Sequence, residues 1–397
     1  MRSEHASSRD SQDVASRSLA SEPGDTGYRA RAWAIVLLLA VFLCAPLIVT
    51  AYNLANHVGT AREEARAPAP RLSADVQALK KLPGTSRWYF TERYGLKDTL
   101  MFLHGVLMVK VLGTSASSAV LLGKSDWLFL ASERVLDYQR GAEPLSAATL
   151  EDWVDTLERR QTWLADQGID YAFVVAPNTH TIYPEFLPTH LAKPGITRLD
   201  QLVQASRLAP QVRLIDLRPA LLRHKAEARL YFKTDTHWGP IGAWFATQEI
   251  AARLSLPLVQ GSLLPLSNHP LRGGDLARLL GLQLSTVEVE QWPAQTPPEL
   301  TSEAGRPLTS WQLTDVMAAD RLVVKCAQGK GTALIFRDSF GEALIPWLSG
   351  AFEKTIWIRS YEFSEELVRS ERPDVVIEQV VERKLMHMIR PGGGLDE

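Results

Sequence analysis

The first stretch that could do chemistry is Ala333-Leu-Ile-Phe-Arg-Asp-Ser-Phe-Gly341, which reads as a buried strand, a polar turn and a helix starting near Ser339. A hydroxyl there stands at the carboxyl edge of a parallel sheet, where open α/β sheets receive their ligands. The first backbone N–H groups of the helix, those of Ser339 and Phe340, can hold the oxyanion of a tetrahedral intermediate. Gly341 permits close approach. The same serine would also serve as an ordinary helix cap, and the G-x-S-x-G elbow is absent. A second stretch, Tyr231-Phe-Lys-Thr-Asp-Thr-His-Trp-Gly-Pro-Ile-Gly242, sets Asp235 and His237 two positions apart. In an extended segment both side chains leave one face. The carboxylate can then fix the imidazole tautomer, leaving the other ring nitrogen for a serine proton. A metal pair or a satisfied polar turn would use the same residues. Trp238 is positioned to shield the pair from water or to stack on a sugar. A third stretch, Val175 to Pro188, follows another apolar run, so Asn178 at its start can donate an amide N–H to an oxyanion, or simply make a turn. His180 and His190 are expected on the surface or in supporting roles. No H-E-x-x-H and no cluster of carboxylates and histidines points to a metal; neither a metal nor an organic cofactor is expected.

These residues need a frame. Ser146 or Thr149 can cap a helix that carries Leu150, Trp153, Val154, Leu157 and Leu164 on one face, with Gly168 closing it. Strands are predicted over 171–176, 212–217, 333–336, 355–358 and 374–380. Helices are predicted over 243–254, 340–348 and about 364–369. Strands separated by helices imply a mostly parallel sheet with helices on both faces. The stretch 256–325 is less regular and reads as an insertion or lid.

Residues 32–52, AWAIVLLLAVFLCAPLIVTAY, run for about 21 residues without a charge, enough for a helix to cross the hydrocarbon core of a bilayer. Arg29 and Arg31 precede the run and Asn53, Asn56 and His57 follow it, so the positive-inside rule leaves the N-terminus in the cytoplasm. An uncleaved single-pass anchor is expected. Val49-Thr-Ala51 is a passable cleavage site for the alternative, a signal peptide. Residues 1–31 form a polar cytoplasmic tail expected to be disordered, and 53–84 a linker with an Ala/Pro-rich spacer. A formal net charge of −2 argues against nucleic acid as partner. The chain has 2 cysteines, Cys44 in the apolar run and Cys326. They rule out a disulfide framework in the exported part.

Taken in order, Gly123-Lys-Ser-Asp-Trp-Leu-Phe-Leu130, Ala176-Pro-Asn with Ile-Tyr-Pro-Glu185, Asp235-Thr-His-Trp-Gly, Gly274-Asp-Leu-Ala-Arg-Leu-Leu-Gly-Leu282, Arg337-Asp-Ser-Phe-Gly and Arg372-Pro-Asp-Val-Val-Ile-Glu378 resemble the alginate O-acetyltransferase family of AlgJ/AlgX type. The resemblance covers about residues 85–390 and implies an SGNH-hydrolase-like α/β domain. It implies Ser339 as nucleophile, His237 as base and Asp235 as its orienting carboxylate. It further implies acetylation of an alginate-like or cellulose-like exopolysaccharide in the periplasm, from the inner membrane of a Gram-negative bacterium. The expected partners are a multi-spanning membrane acyltransferase that relays acetyl groups, and other exopolysaccharide export subunits. AlgX-type members carry a carbohydrate-binding module after the catalytic domain, and Glu397 leaves no room for one. Two alternatives share these residues: a carbohydrate acetylesterase with water as acceptor, and a non-catalytic polysaccharide-binding subunit.

Overall fold

Five apolar segments of the computed structural model lie side by side as a parallel sheet, and three short strands extend one edge in alternating directions. The structure describes residues 25–55, 83–84, 87, 96–257, 263–308 and 319–387. The expected tail over 1–24 and the spacer at 56–82 lie outside them. Strands β1 (Val120–Leu122) and β2 (Leu128–Leu130) make a separate hairpin. The main sheet contains β3 (Asp170–Ala176), β4 (Leu214–Asp216), β7 (Leu300–Ser302), β8 (Pro307–Leu308), β9 (Arg321–Lys325), β10 (Thr332–Arg337), β11 (Lys354–Arg359) and β12 (Val375–Val381). Its spatial order is β4-β3-β12-β10-β11-β9-β7-β8. β4 through β11 pair in parallel, and β9, β7 and β8 attach antiparallel.

Successive side chains of a strand point to opposite faces, and here each face is apolar. On β3, Ala172, Val174 and Ala176 join one core; Tyr171, Phe173 and Val175 join the other. The near-continuous apolar sequence of these strands is what burial on both faces requires. The first face is covered by the helix Pro240–Leu254, through Ile241, Phe245 and Ile250. The second is covered by Ala147–Ala165, Arg198–Ser206 and Glu365–Glu371. Ser146 caps the first of these three by accepting from the Thr149 N–H, and Gly168 follows it at φ 73°. The expected α/β sheet with helices on both faces is therefore present.

Three expectations change in detail. The strand predicted over 212–217 narrows to β4. The helix predicted over 340–348 breaks into a 3-10 turn at Ser339–Leu344, a short α-helix at Ile345–Leu348 and another 3-10 turn at Ser349–Ala351. Pro346 has no N–H to donate and sits at the start of the α-helical piece, which interrupts the ladder there. The stretch 256–325 is not a lid throughout. It contributes β7, β8 and β9 to the sheet, and before them a hairpin of β5 (Ser267–Arg272) and β6 (Val287–Trp292). Its residues 258–262 and 309–318 lie outside the described set.

The chain divides into two units, Met1–Met101 and Phe102–Glu397. In the first, an α-helix runs from Asp25 to Ala55 with Pro46 inside it. It starts before the expected anchor, so residues 25–31 are helical where a disordered tail is predicted. Leu37, Leu38, Val41 and Leu43 are 57–69% exposed. This helix is long and apolar enough to cross a membrane, and a signal sequence would look the same.

Candidate active site

The loop between Tyr231 and Trp238, closed by a β-bridge between those two residues, carries the first half of the site. Its backbone bends rather than running extended, so Asp235 and His237 meet for a different reason than alternation. The Asp235 carboxylate oxygen Oδ1 accepts from the His237 backbone N–H at 3.0 Å, an Asx-type turn, and from Nδ1 of the same residue at 2.7 Å. Two bonds from one oxygen fix the ring's tautomer and its orientation. Nε2 is left facing Ser339, whose Oγ lies 2.9 Å away.

The second half comes from the end of β10. Asp338, not Ser339, caps the turn. Its Oδ1 accepts from the Phe340 N–H at 2.9 Å and its Oδ2 from the Val381 N–H at 2.6 Å. Burial raises the Asp338 pKa, and these donors oppose the rise. The serine turn is thereby tied to the end of the neighbouring β12, and Ser339 is free of capping duty. The same contacts remove Phe340 as an oxyanion donor, because its N–H already has a carboxylate acceptor. The Ser339 N–H and the Asn178 side chain remain as candidates.

Of the two roles expected for Trp238, shielding the pair from water or stacking on a sugar, its burial is compatible with the first alone. Trp238 is 1% exposed, its Nε1–H donates to the Phe340 carbonyl at 3.0 Å, and its ring meets the Phe340 ring edge-on at 5.3 Å. It cannot stack on a sugar. It instead locks residues 237–238 to residues 339–340: one residue bonds the hydroxyl, and the next bonds the backbone beside it. The Phe340 ring lies 5.0 Å from the His237 ring.

Asn178 is buried at the end of β3. Its N–H donates to Glu382 at 2.7 Å and its Oδ1 accepts from Arg383 at 3.0 Å. Its Nδ2 has no acceptor among the described residues. The neighbouring Thr179 hydroxyl donates to the Thr236 carbonyl at 3.4 Å, bringing this turn against the loop of His237. His180 is not on the surface. It is 2% exposed, its Nε2 bonds the Leu130 carbonyl at 2.9 Å, and burial lowers its pKa to about 3, which keeps it neutral. His190 is exposed, as expected.

One participant was not assigned a role from sequence: Asp275, within the quoted Gly-Asp-Leu motif. Its N–H donates to Asp235 Oδ2 at 2.8 Å, and its own carboxylate accepts from the Thr236 N–H at 2.9 Å and hydroxyl at 2.6 Å. Its Oδ2 also lies 3.8 Å from His237 Nδ1. A Cβ on Gly274 would fall 2.4 Å from Asp235, so only glycine lets this segment close on the loop. Burial alone would lower the His237 pKa. The hydrogen bond and charge of Asp235, then the charge of Asp275, outweigh it and hold the imidazole above its ordinary value. Burial likewise opposes ionisation of Asp235, but the hydrogen bond and charge of His237, with the backbone N–H donors of Asp275 and His237, leave its pKa lowered. Asp235, His237 and Asp275 are also close enough to supply ligands to one metal ion. In the structure their oxygen atoms are occupied by the hydrogen bonds just described.

The serine and histidine open on a cavity of about 850 Å³. Its walls include Phe232, Trp292, Pro297, Pro298, Pro346 and Trp347.

Part of the chain is similar to known proteins. Residues 120–316 match the family described as SGNH hydrolase-like domain, acetyltransferase AlgX. The match contains Asn178, Asp235, His237 and Asp275 and stops before Ser339. A probable alginate O-acetylase AlgJ of Pseudomonas syringae pv. tomato is 25% identical over 231 residues, 55% of this chain and 52% of that protein. The one from Pseudomonas putida is 29% identical over 141 residues, 34% of each. The chain thus spans about half the length of the first of these curated relatives and a third of the second. Among solved structures, the O-acetyltransferase domain of Pseudomonas putida AlgJ is 19% identical, with a TM-score of 0.41 over 67% of this chain and 92% of that one. Bacillus cereus PatB1 is 15% identical, with a TM-score of 0.46 over 67% and 96%.

Proposed function

Because this chain belongs to the AlgX-type family of SGNH hydrolase-like acetyltransferases, we propose that it transfers acetyl groups to the hydroxyls of an extracellular polysaccharide, with Ser339, His237 and Asp235 as its catalytic triad. The observation that carries this reading is the unbroken chain from Asp235 Oδ1 through His237 to Ser339 Oγ, with contacts of 2.7 and 2.9 Å. Ser339 Oγ attacks the carbonyl carbon of an acetyl donor while His237 Nε2 takes its proton. The tetrahedral intermediate collapses to acetyl-serine, and the leaving group departs with the proton from His237. A sugar hydroxyl then enters, gives its proton to the same nitrogen and attacks the acetyl carbon. Collapse returns the proton to Ser339 and releases the ester. The Ser339 N–H and the Asn178 amide hold the oxyanion in both halves. The His237 side chain is 30% exposed, so water can compete with the sugar and some donor hydrolysis accompanies transfer.

In this reading the apolar helix anchors the protein in the inner membrane with the catalytic unit in the periplasm. A multi-spanning acyltransferase supplies acetyl groups there, alongside the polymer's export subunits. Ser339→Ala tests the chemistry. Loss of a triad serine costs on the order of 10⁶ in turnover. Because Asp338 is the cap, stability should change by less than the roughly 1 kcal/mol that a lost cap costs. Brief exposure of the unaltered protein to an activated acetyl ester should leave an acetyl group on Ser339, detectable by mass spectrometry. A folded Ser339→Ala protein with comparable activity would overturn the proposal.

A further inference from the structure

The cavity beside Ser339 has a one-sided charge. Its ionisable lining residues are Asp235, His237, Glu290, Glu299 and Glu342; among the described residues no lysine or arginine lines it. Asp235 and His237 satisfy one another. Glu342 is balanced from behind by Arg337 at 3.1 Å and Arg359 at 3.8 Å. Glu290 and Glu299 form no ion pair with any described residue; across the β5–β6 hairpin Glu290 stands opposite only the exposed His269. The same cavity is lined by Trp292, whose ring is 6.0 Å from that of Trp347, and by Pro297 and Pro298.

A polyuronate carries a carboxylate on every sugar. Sites that bind such chains need cations, because like charges repel and carboxylates pair best with arginine forks. This groove offers the reverse: two uncompensated carboxylates and flat apolar surfaces. Rings and prolines suit the C–H faces of sugars, and glutamates accept hydrogen bonds from sugar hydroxyls. We infer that the acceptor is a polysaccharide without carboxylate groups, so that this chain departs in substrate class from the alginate O-acetylases it resembles. The inference rests on the transferase reading above.

The test uses the full-length chain in detergent, an activated acetyl ester as donor, and acceptor oligomers of matched length at low ionic strength. The acceptors are uncharged β-1,4-linked glucose and mannose oligomers and a mannuronate oligomer. Acetyl on sugar is counted by mass spectrometry and donor turnover is followed in parallel. At least about a ten-fold preference for an uncharged oligomer is expected, narrowing as salt is added. Glu290→Gln/Glu299→Gln should raise mannuronate use relative to uncharged use several-fold. Donor turnover with equal or better transfer to mannuronate would overturn the substrate class and leave the triad standing. Turnover without transfer to any oligomer would identify an esterase and overturn the transferase reading together with the substrate class. Absence of donor turnover in the folded protein would instead sink the proposed function.

Discussion

At the scale of single residues, the site turns on how one imidazole is held. His237 must be neutral to act as a base, and the carboxylates of Asp235 and Asp275 keep its pKa above the ordinary value of about 6.5. The acid limb of the rate–pH profile should therefore have its midpoint above that value. Asp275→Asn removes one of the raising charges while keeping the side chain's shape. The limb should move to lower pH, with the plateau rate changing less than the midpoint. An unmoved midpoint would mean that Asp275 only braces the loop. Much of this site was legible in the sequence. D-x-H on one segment and a serine after a buried strand drew attention to the three side chains that the structure brings together. Asp275 could not be assigned that way, because its approach to Asp235 depends on a fold that joins segments forty positions apart. The sequence left open what Trp238 and the Phe340 N–H face for a related reason. An aromatic ring or an N–H beside a site offers the same letters whether it faces the substrate or is already bonded within the protein.

At the scale of elements, positioning depends on how closely three loops approach. Gly274 begins the turn that brings Asp275 in, and its N–H donates to the Thr234 hydroxyl at 2.9 Å. Gly274→Ala would force its Cβ against the Asp235 side chain, at 2.4 Å from both Cβ and Oδ2. Asp235 cannot yield without rotating away from His237. We expect the substitution to reduce kcat on a small acetyl ester by about 10²-fold, the penalty for misplacing a catalytic group by about 1 Å, while circular dichroism stays native. Unchanged kcat would show that the loop can absorb the added carbon. The major strands and helices were readable because two-sided burial leaves continuous apolar runs and because caps mark helix starts. The edge strands β7, β8 and β9 were less so. They are short, lie among prolines and polar residues, and are paired in succession outward from β11: β9 on β11, β7 on β9 and β8 on β7.

At the scale of the whole molecule, the proposed function has the apolar helix set the compartment of everything after it. A reporter that works only outside the cytoplasm, fused after Glu397, should be active, and one that works only inside should be silent. The opposite pattern would remove the periplasmic reading. In that orientation the membrane receives the chain from its N-terminal side first, and the sheet order then acquires a meaning in time. β12, the last strand among the described residues, sits in the middle between β3 and β10. Until it arrives, the earlier strands have a gap at their centre, and the serine turn lacks the Val381 N–H that anchors Asp338. The central sheet is therefore complete only once Val375–Val381 has arrived. Closure joins segments far apart in sequence and is correspondingly slow. The same order makes the fold a check on completeness: a polypeptide interrupted before Val375 lacks both the central strand and the Val381 N–H that anchors Asp338 beside Ser339.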